Sequence, residues 1–145
     1  MGLRRTAREC ALQMLYEYDV GKNSEEEILH SFWQMNEHPE KVEEFANYLF
    51  EGTIQRLKEI DIAIQKHAKN WRLNRMAVVD RNILRLAVFE FLSGGQTPET
   101  VVINEALEIA RKFSTQESAL FVNGILDSIK NELTVKRQPQ DGKSN

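Results

Sequence analysis

The sequence predicts an all-α fold, a compact bundle of about six or seven helices. Three observations carry that expectation. Glycine and proline number only 7 and 3 in 145 residues, and they fall at spaced boundaries. Between those boundaries apolar residues recur at i, i+3 and i+4, the stripe of an amphipathic helix. No segment sustains the apolar–polar alternation of a strand, and no repeat of fixed period occurs.

The elements follow in order. Leu3, Ala7, Cys10, Ala11, Met14, Leu15 and Tyr18 make one stripe and predict a helix over 3–19. Ser24 with Glu27 three residues on is a capping-box pattern that opens a second helix through Trp33. Pro39 suits a first-turn position for a long third segment with Val42, Phe45, Leu49, Ile60 and Ile64 on its apolar side, and Gly52 is where it would break or bend. From Met76 to Leu92 apolar residues nearly encircle the helix, as expected of a buried hub. Trp71 in the linker before it is expected to anchor that linker to the core. Thr97-Pro98 starts the next helix, with Val102, Ala106, Ile109, Ala110 and Phe113 inward and a Glu108–Lys112 pair outward. Ser114 and Glu117 repeat the capping-box spacing before a last helix that ends near Leu133. The run KRQPQDGKSN from Lys136 has no apolar residue. The chain therefore reads as one domain over 1–133 with a disordered polar tail over 134–145.

Composition narrows the function. No apolar run approaches the ~18 residues of a membrane span, and no signal-peptide pattern opens the chain, so a cytoplasmic protein is expected. Cys10 is the single cysteine, which excludes an internal disulfide and a CxxC site. His30, His38 and His67 lie apart from one another, and no HExxH, phosphate loop or GxSxG motif occurs. No enzyme, cofactor or metal is expected. The net charge of -3 restricts any nucleic-acid contact to a local patch.

That patch has a candidate. Arg4, Arg5 and Arg8 put cations in the opening turns of the first helix, where the macrodipole disfavours them by a few tenths of a kcal/mol each. Arg4 and Arg8 are also like charges at i, i+4. At about 100° per residue, Arg4, Arg5, Arg8, Leu12 and Tyr16 share an arc of roughly 120°. Guanidinium groups grip phosphate and an aromatic ring stacks an unpaired base, so the strip suits single-stranded RNA. The competing reading is a solvated N-terminus with Glu9 as counter-charge and Tyr16 at the core edge. In the last helix Phe121 sits off the core stripe, and Gly124 permits close approach by another backbone or a ligand. Packing on the first helix or a dimer contact would explain them equally well. Asp80, Arg81, Arg85 and Glu90 are charges on the otherwise apolar hub helix, either rim groups or ion-pair partners for another protein.

RRTARECALQMLYEYD at 4–19, WRLNRMAVVDRNILRLAVFEF at 71–91, VVINEALEIARKFS at 101–114 and ESALFVNGILDSI at 117–129 resemble the helices of the NusB family. The resemblance spans about residues 4–133. It implies two packed helical subdomains, binding of boxA single-stranded RNA in nascent ribosomal RNA transcripts, and pairing with NusE, a ribosomal small-subunit protein, on RNA polymerase during antitermination. Carried over by motif, it implies an RNA surface of Arg4, Arg5, Arg8, Tyr16, Glu117, Ser118 and Phe121. It implies a partner contact at Asp80, Arg81, Arg85 and Glu90. Some members also form a homodimer that covers the RNA surface. The alternatives are a protein-interaction scaffold and an accessory domain of RNA methyltransferases, the latter disfavoured by a chain of 145 residues.

Overall fold

The computed structural model describes residues 2–143, with side chains as far as Lys136. Among the described residues it is all helix: α1 (Leu3–Val20), α2 (Glu25–Met35), α3 (Glu40–Gln55), α4 (Leu57–His67), a short 3₁₀ turn (Leu73–Arg75), α5 (Val78–Leu92), α6 (Glu99–Phe113) and α7 (Gln116–Lys143). The all-α expectation holds, as does the count of helices.

Helix α5 is the hub, packing on α1, α3, α4, α6 and α7. Helices α1–α3 pack on one another and α6 packs on α7, and a single apolar core joins both groups. The capping box at the start of α2 forms as its spacing predicts. The Ser24 N–H donates to Glu27 Oε1 at 2.8 Å, and the Glu27 N–H to Ser24 Oγ at 3.2 Å.

Several local expectations are corrected. The long third segment breaks at Arg56, which separates α3 from α4 and donates from its guanidinium to the Leu92 carbonyl at 3.1 Å. Gly52 lies inside α3 and does not break it. Its role is space, since a Cβ there would stand 2.2 Å from Phe89 Cζ on α5. Phe113, expected inward, is 40% exposed at the end of α6. Lys112 pairs with Glu9 of α1 at 3.0 Å rather than with Glu108, which takes Arg111. The cap of α7 is Thr115, whose Oγ1 accepts the Ser118 N–H at 2.9 Å, and not Ser114. The turn between α5 and α6 holds Gly94 and Gly95 at φ of 95° and 79°, a conformation that favours glycine at both positions.

Helix α7 continues to Lys143, past the end near Leu133 that the sequence suggests. Its continuation is supported by Thr134 Oγ1 donating to the Lys130 carbonyl at 3.0 Å and by a Lys136–Glu132 pair at 3.8 Å. Residues 144–145 of the expected tail lie outside the described residues.

Candidate nucleic-acid interface

The arginines of α1 diverge. Arg8 turns inward and is 5% exposed, with Nε and Nη2 bidentate on Glu90 of α5 at 2.8 and 2.9 Å. Arg5 pairs in the same forked way with Glu105 of α6, at 2.8 and 2.7 Å. That hydrogen-bonded pairing raises the Arg5 pKa and holds the Glu105 carboxyl below its ordinary value. Arg4 is exposed, with its guanidinium carbon 4.2 Å from the centre of the Phe45 ring on α3. The local cost of cations at a helix start is therefore met by carboxylates from other helices. Of the rest of the arc, Leu12 is buried and Tyr16 is 43% exposed.

The charges of α5 also find internal partners. Arg81 grips Asp19 of α1 at 2.7 and 3.0 Å. Arg85 grips Asp61 of α4 at 2.8 and 3.0 Å and reaches Asp19 at 3.1 Å. Burial alone would raise the Asp19 carboxyl, but hydrogen bonds from Arg81 and Asn82 and the charge of Arg85 outweigh it and hold it low. Arg81 and Arg85 nonetheless line an open cavity of about 810 Å³ together with Arg72, Gln65 and Asn74. Asp80 is 7% exposed and accepts from two hydroxyls, Ser114 Oγ at 2.9 Å and Ser118 Oγ at 2.8 Å. It thereby fixes the start of α7 to the start of α5. Among the described residues no buried side-chain nitrogen or oxygen lacks a partner.

Glu117, Ser118 and Phe121 come together at that corner as the sequence suggests. They line a cavity of about 240 Å³ with Thr115, Asp80, Trp71, Arg75, Met76 and Ala77. Trp71 is the surprise, being 56% exposed rather than a core anchor. Its ring meets Phe121 edge to face, with centroids 6.3 Å apart and planes at 81°. Arg75 at the same corner is exposed. Sequence reasoning missed both as site residues. The available signal was a tryptophan in a short linker followed by Arg72 and Arg75, a poor place to bury a large ring. Gly124 has open space where a side chain would be, so it serves no internal packing. The Arg4 end and the Phe121 corner are distinct regions, and Tyr16 lies about 18 Å from Arg4 along α1 by helical rise.

The fold and this corner define an all-α helical protein with aromatic, cationic and hydroxyl groups at the junction of its central and last helices. The NusB family model matches residues 5–131, and the chain belongs to the NusB family. It is 51% identical to the transcription antitermination protein NusB of Koribacter versatilis, over 94% of each chain. Among solved structures it resembles NusB of T. maritima, with a TM-score of 0.80 and 35% identity over 89% of this chain and 91% of the other. It also resembles a chain of a crystal structure of the antitermination factors NusB and NusE in complex with dsRNA, with a TM-score of 0.82 and 27% identity over 91% and 98%. The family is one of transcription antitermination factors and not of enzymes. No described helix is long and apolar enough to cross a membrane.

Proposed function

We propose that the chain acts in the cytoplasm as an antitermination factor that binds boxA-like single-stranded RNA of nascent ribosomal RNA transcripts together with NusE, within the RNA polymerase antitermination complex. The observation that carries this is the corner where exposed Glu117 stands beside half-buried Ser118 and Phe121, held in place by the buried Asp80, with Tyr16 exposed on α1. Aromatic faces beside hydroxyls and guanidinium groups suit an unpaired strand. Arg4 and Arg5 supply positive charge farther along α1. Arg8, closed against Glu90, acts by holding α1 and not by touching RNA. For the protein partner, half-buried Arg81 and exposed Arg72 line the cavity that would receive it, with buried Arg85 at its wall, while Asp80 and Glu90 are tied to internal partners.

The test is a titration of boxA-like single-stranded RNA, and of a duplex of the same sequence, against the chain with NusE present over a salt series. Affinity should fall with salt, and Arg4→Ala should make the slope shallower by up to about 0.7 for a single strand. The pairing of Arg5 and Arg8 with internal carboxylates favours the rival reading of a protein scaffold. Binding of NusE without any RNA affinity, with or without NusE, would establish that scaffold instead.

A further inference from the structure

We infer that the cleft between the start of α1, the first half of α3 and the α5–α6 turn docks an acidic peptide segment of another protein, one that carries an apolar side chain among its carboxylates. The cleft lies apart from the RNA corner described above and shares with the RNA reading only Arg4.

Three features carry it. The first is a polar lining without internal partners. The cleft has a volume of about 580 Å³ and is bordered by Leu3, Arg4, Lys41, Glu44, Tyr48 and Gln96 around the Phe45 ring. Among the described residues, Arg4, Lys41, Glu44, the Tyr48 hydroxyl and Gln96 make no hydrogen bond or ion pair. The larger cavity beside α5 is the opposite case, with Arg81 and Arg85 forked onto Asp19 and Asp61. Arg5 and Arg8 are likewise tied to Glu105 and Glu90.

The second feature is a cation already held in place. The Arg4 guanidinium carbon stands 4.2 Å from the centre of the Phe45 ring, and Phe45 stacks on Tyr48 at 6.0 Å and 21°. A guanidinium resting on a ring keeps its N–H edges open, and that planar fork matches a carboxylate with little further ordering. Lys41 is exposed in the same lining, where Glu44 is the one carboxylate. The cleft is thus net positive on a chain of net charge -3, which favours an anionic partner. The third feature is apolar surface. Leu3 is 49% and Tyr48 37% exposed at the rim, and an apolar side chain seated between them would take both from water.

The rings decide between ligand classes. Cations beside aromatics also suit an unpaired RNA strand. Phe45, however, already carries Arg4 over its face and Tyr48 beside it, and Tyr48 meets Phe89 of α5 at 5.3 Å. A stacking base would have to displace these contacts. Glu44 would meet a phosphate chain with like charge, whereas a peptide offers it backbone N–H donors.

The experiment follows the backbone amides of the full chain by NMR as blocked hexapeptides are added without RNA. The peptide EEFEDL should give saturable shifts at Lys41, Tyr48 and Gln96 that weaken with salt. EEGEDG, which lacks the apolar residues, should bind several-fold less tightly, and KKFKKL should not bind. Lys41→Glu, an exposed change that spares the fold, should weaken EEFEDL several-fold and leave boxA-like RNA affinity unchanged. Leu3→Ser should weaken EEFEDL and leave EEGEDG as it was. No saturable shift up to millimolar EEFEDL, equal affinity for EEFEDL and EEGEDG, or an unaffected Lys41→Glu would overturn the site. Loss of boxA-like RNA affinity in Lys41→Glu would assign the cleft to RNA and overturn the peptide. Because the peptide arms hold no RNA, failure of the wild type to bind boxA-like RNA would sink the RNA reading alone.

Discussion

The two ends of α1 treat unusual residues in opposite ways. At the arginine end, charges that should favour water are drawn inward: Arg8 and Glu90 are each 5% exposed, and Arg5 is forked onto Glu105. At the far end, beside the start of α5, rings that should favour the interior are left out, with Tyr16 43% and Trp71 56% exposed. Buried ion pairs of this kind contribute little net stability but are costly to break, because removing one partner strands the other. Exposed aromatics contribute little to folding and gain only when something covers them. Ion pairs anchor both ends of α1, Arg8 on Glu90 and Asp19 on Arg81, and only the far end adds exposed rings that a partner could cover.

The largest effect should come from cutting that division at Arg8. Arg8→Ala should cost about 3–5 kcal/mol in urea unfolding by leaving Glu90 charged and unpaired, with unchanged RNA affinity per folded molecule. A loss of affinity without loss of stability would place Arg8 in the RNA surface after all. Gly52→Ala should cost about 1–3 kcal/mol by forcing Phe89 to move, again without touching RNA binding, and calorimetry reads it. Phe121→Ala should do the reverse, weakening RNA binding by about 1–3 kcal/mol with a smaller change in unfolding. If stability falls and affinity does not, Phe121 belongs to the core.

The smallest effect concerns acid. Hydrogen bonds from Lys66 first and His67 second hold the Glu132 carboxyl down to about 2, against an ordinary 4.5. A carboxyl with its folded value lowered binds more protons when unfolded, so its stabilisation is present above about 4.5 and is lost as pH falls toward 2. Glu132→Gln should flatten the acid limb of stability against pH in that window. An unchanged limb would mean that α4 and α7 are held by packing alone.

Much of this was legible in the sequence and some was not, for reasons tied to particular residues. The stripe Ala7, Cys10, Ala11, Met14, Leu15 and the Ser24–Glu27 cap are set by neighbours within one or two turns, and periodicity reads such neighbours well. The resemblance brought Phe121, Glu117 and Ser118 to one corner. Arg8 was misjudged as a surface group because its partner lies 82 residues away on another helix. Helical phase gave the arc it points along, not what stands there. Gly52 looked like a local break for the same reason, its constraint being a ring on α5. Trp71 was misplaced because a hydrophobic scale gives a tryptophan in a linker the same sign wherever it packs.

Helix α1 is held to α5 at two places, Arg8 on Glu90 and Asp19 on Arg81, about 16 Å apart along its axis. Two forked contacts at that separation set its rotational phase as well as its position. One residue inserted between Arg8 and Asp19 would turn the second contact by about 100° and shift it by about 1.5 Å, so both could not be kept. Four inserted residues would bring the phase back to within about 40° but displace it by a full turn. The length of this stretch is thus a fixed quantity of the fold, and the direction in which Tyr16 points is inherited from it.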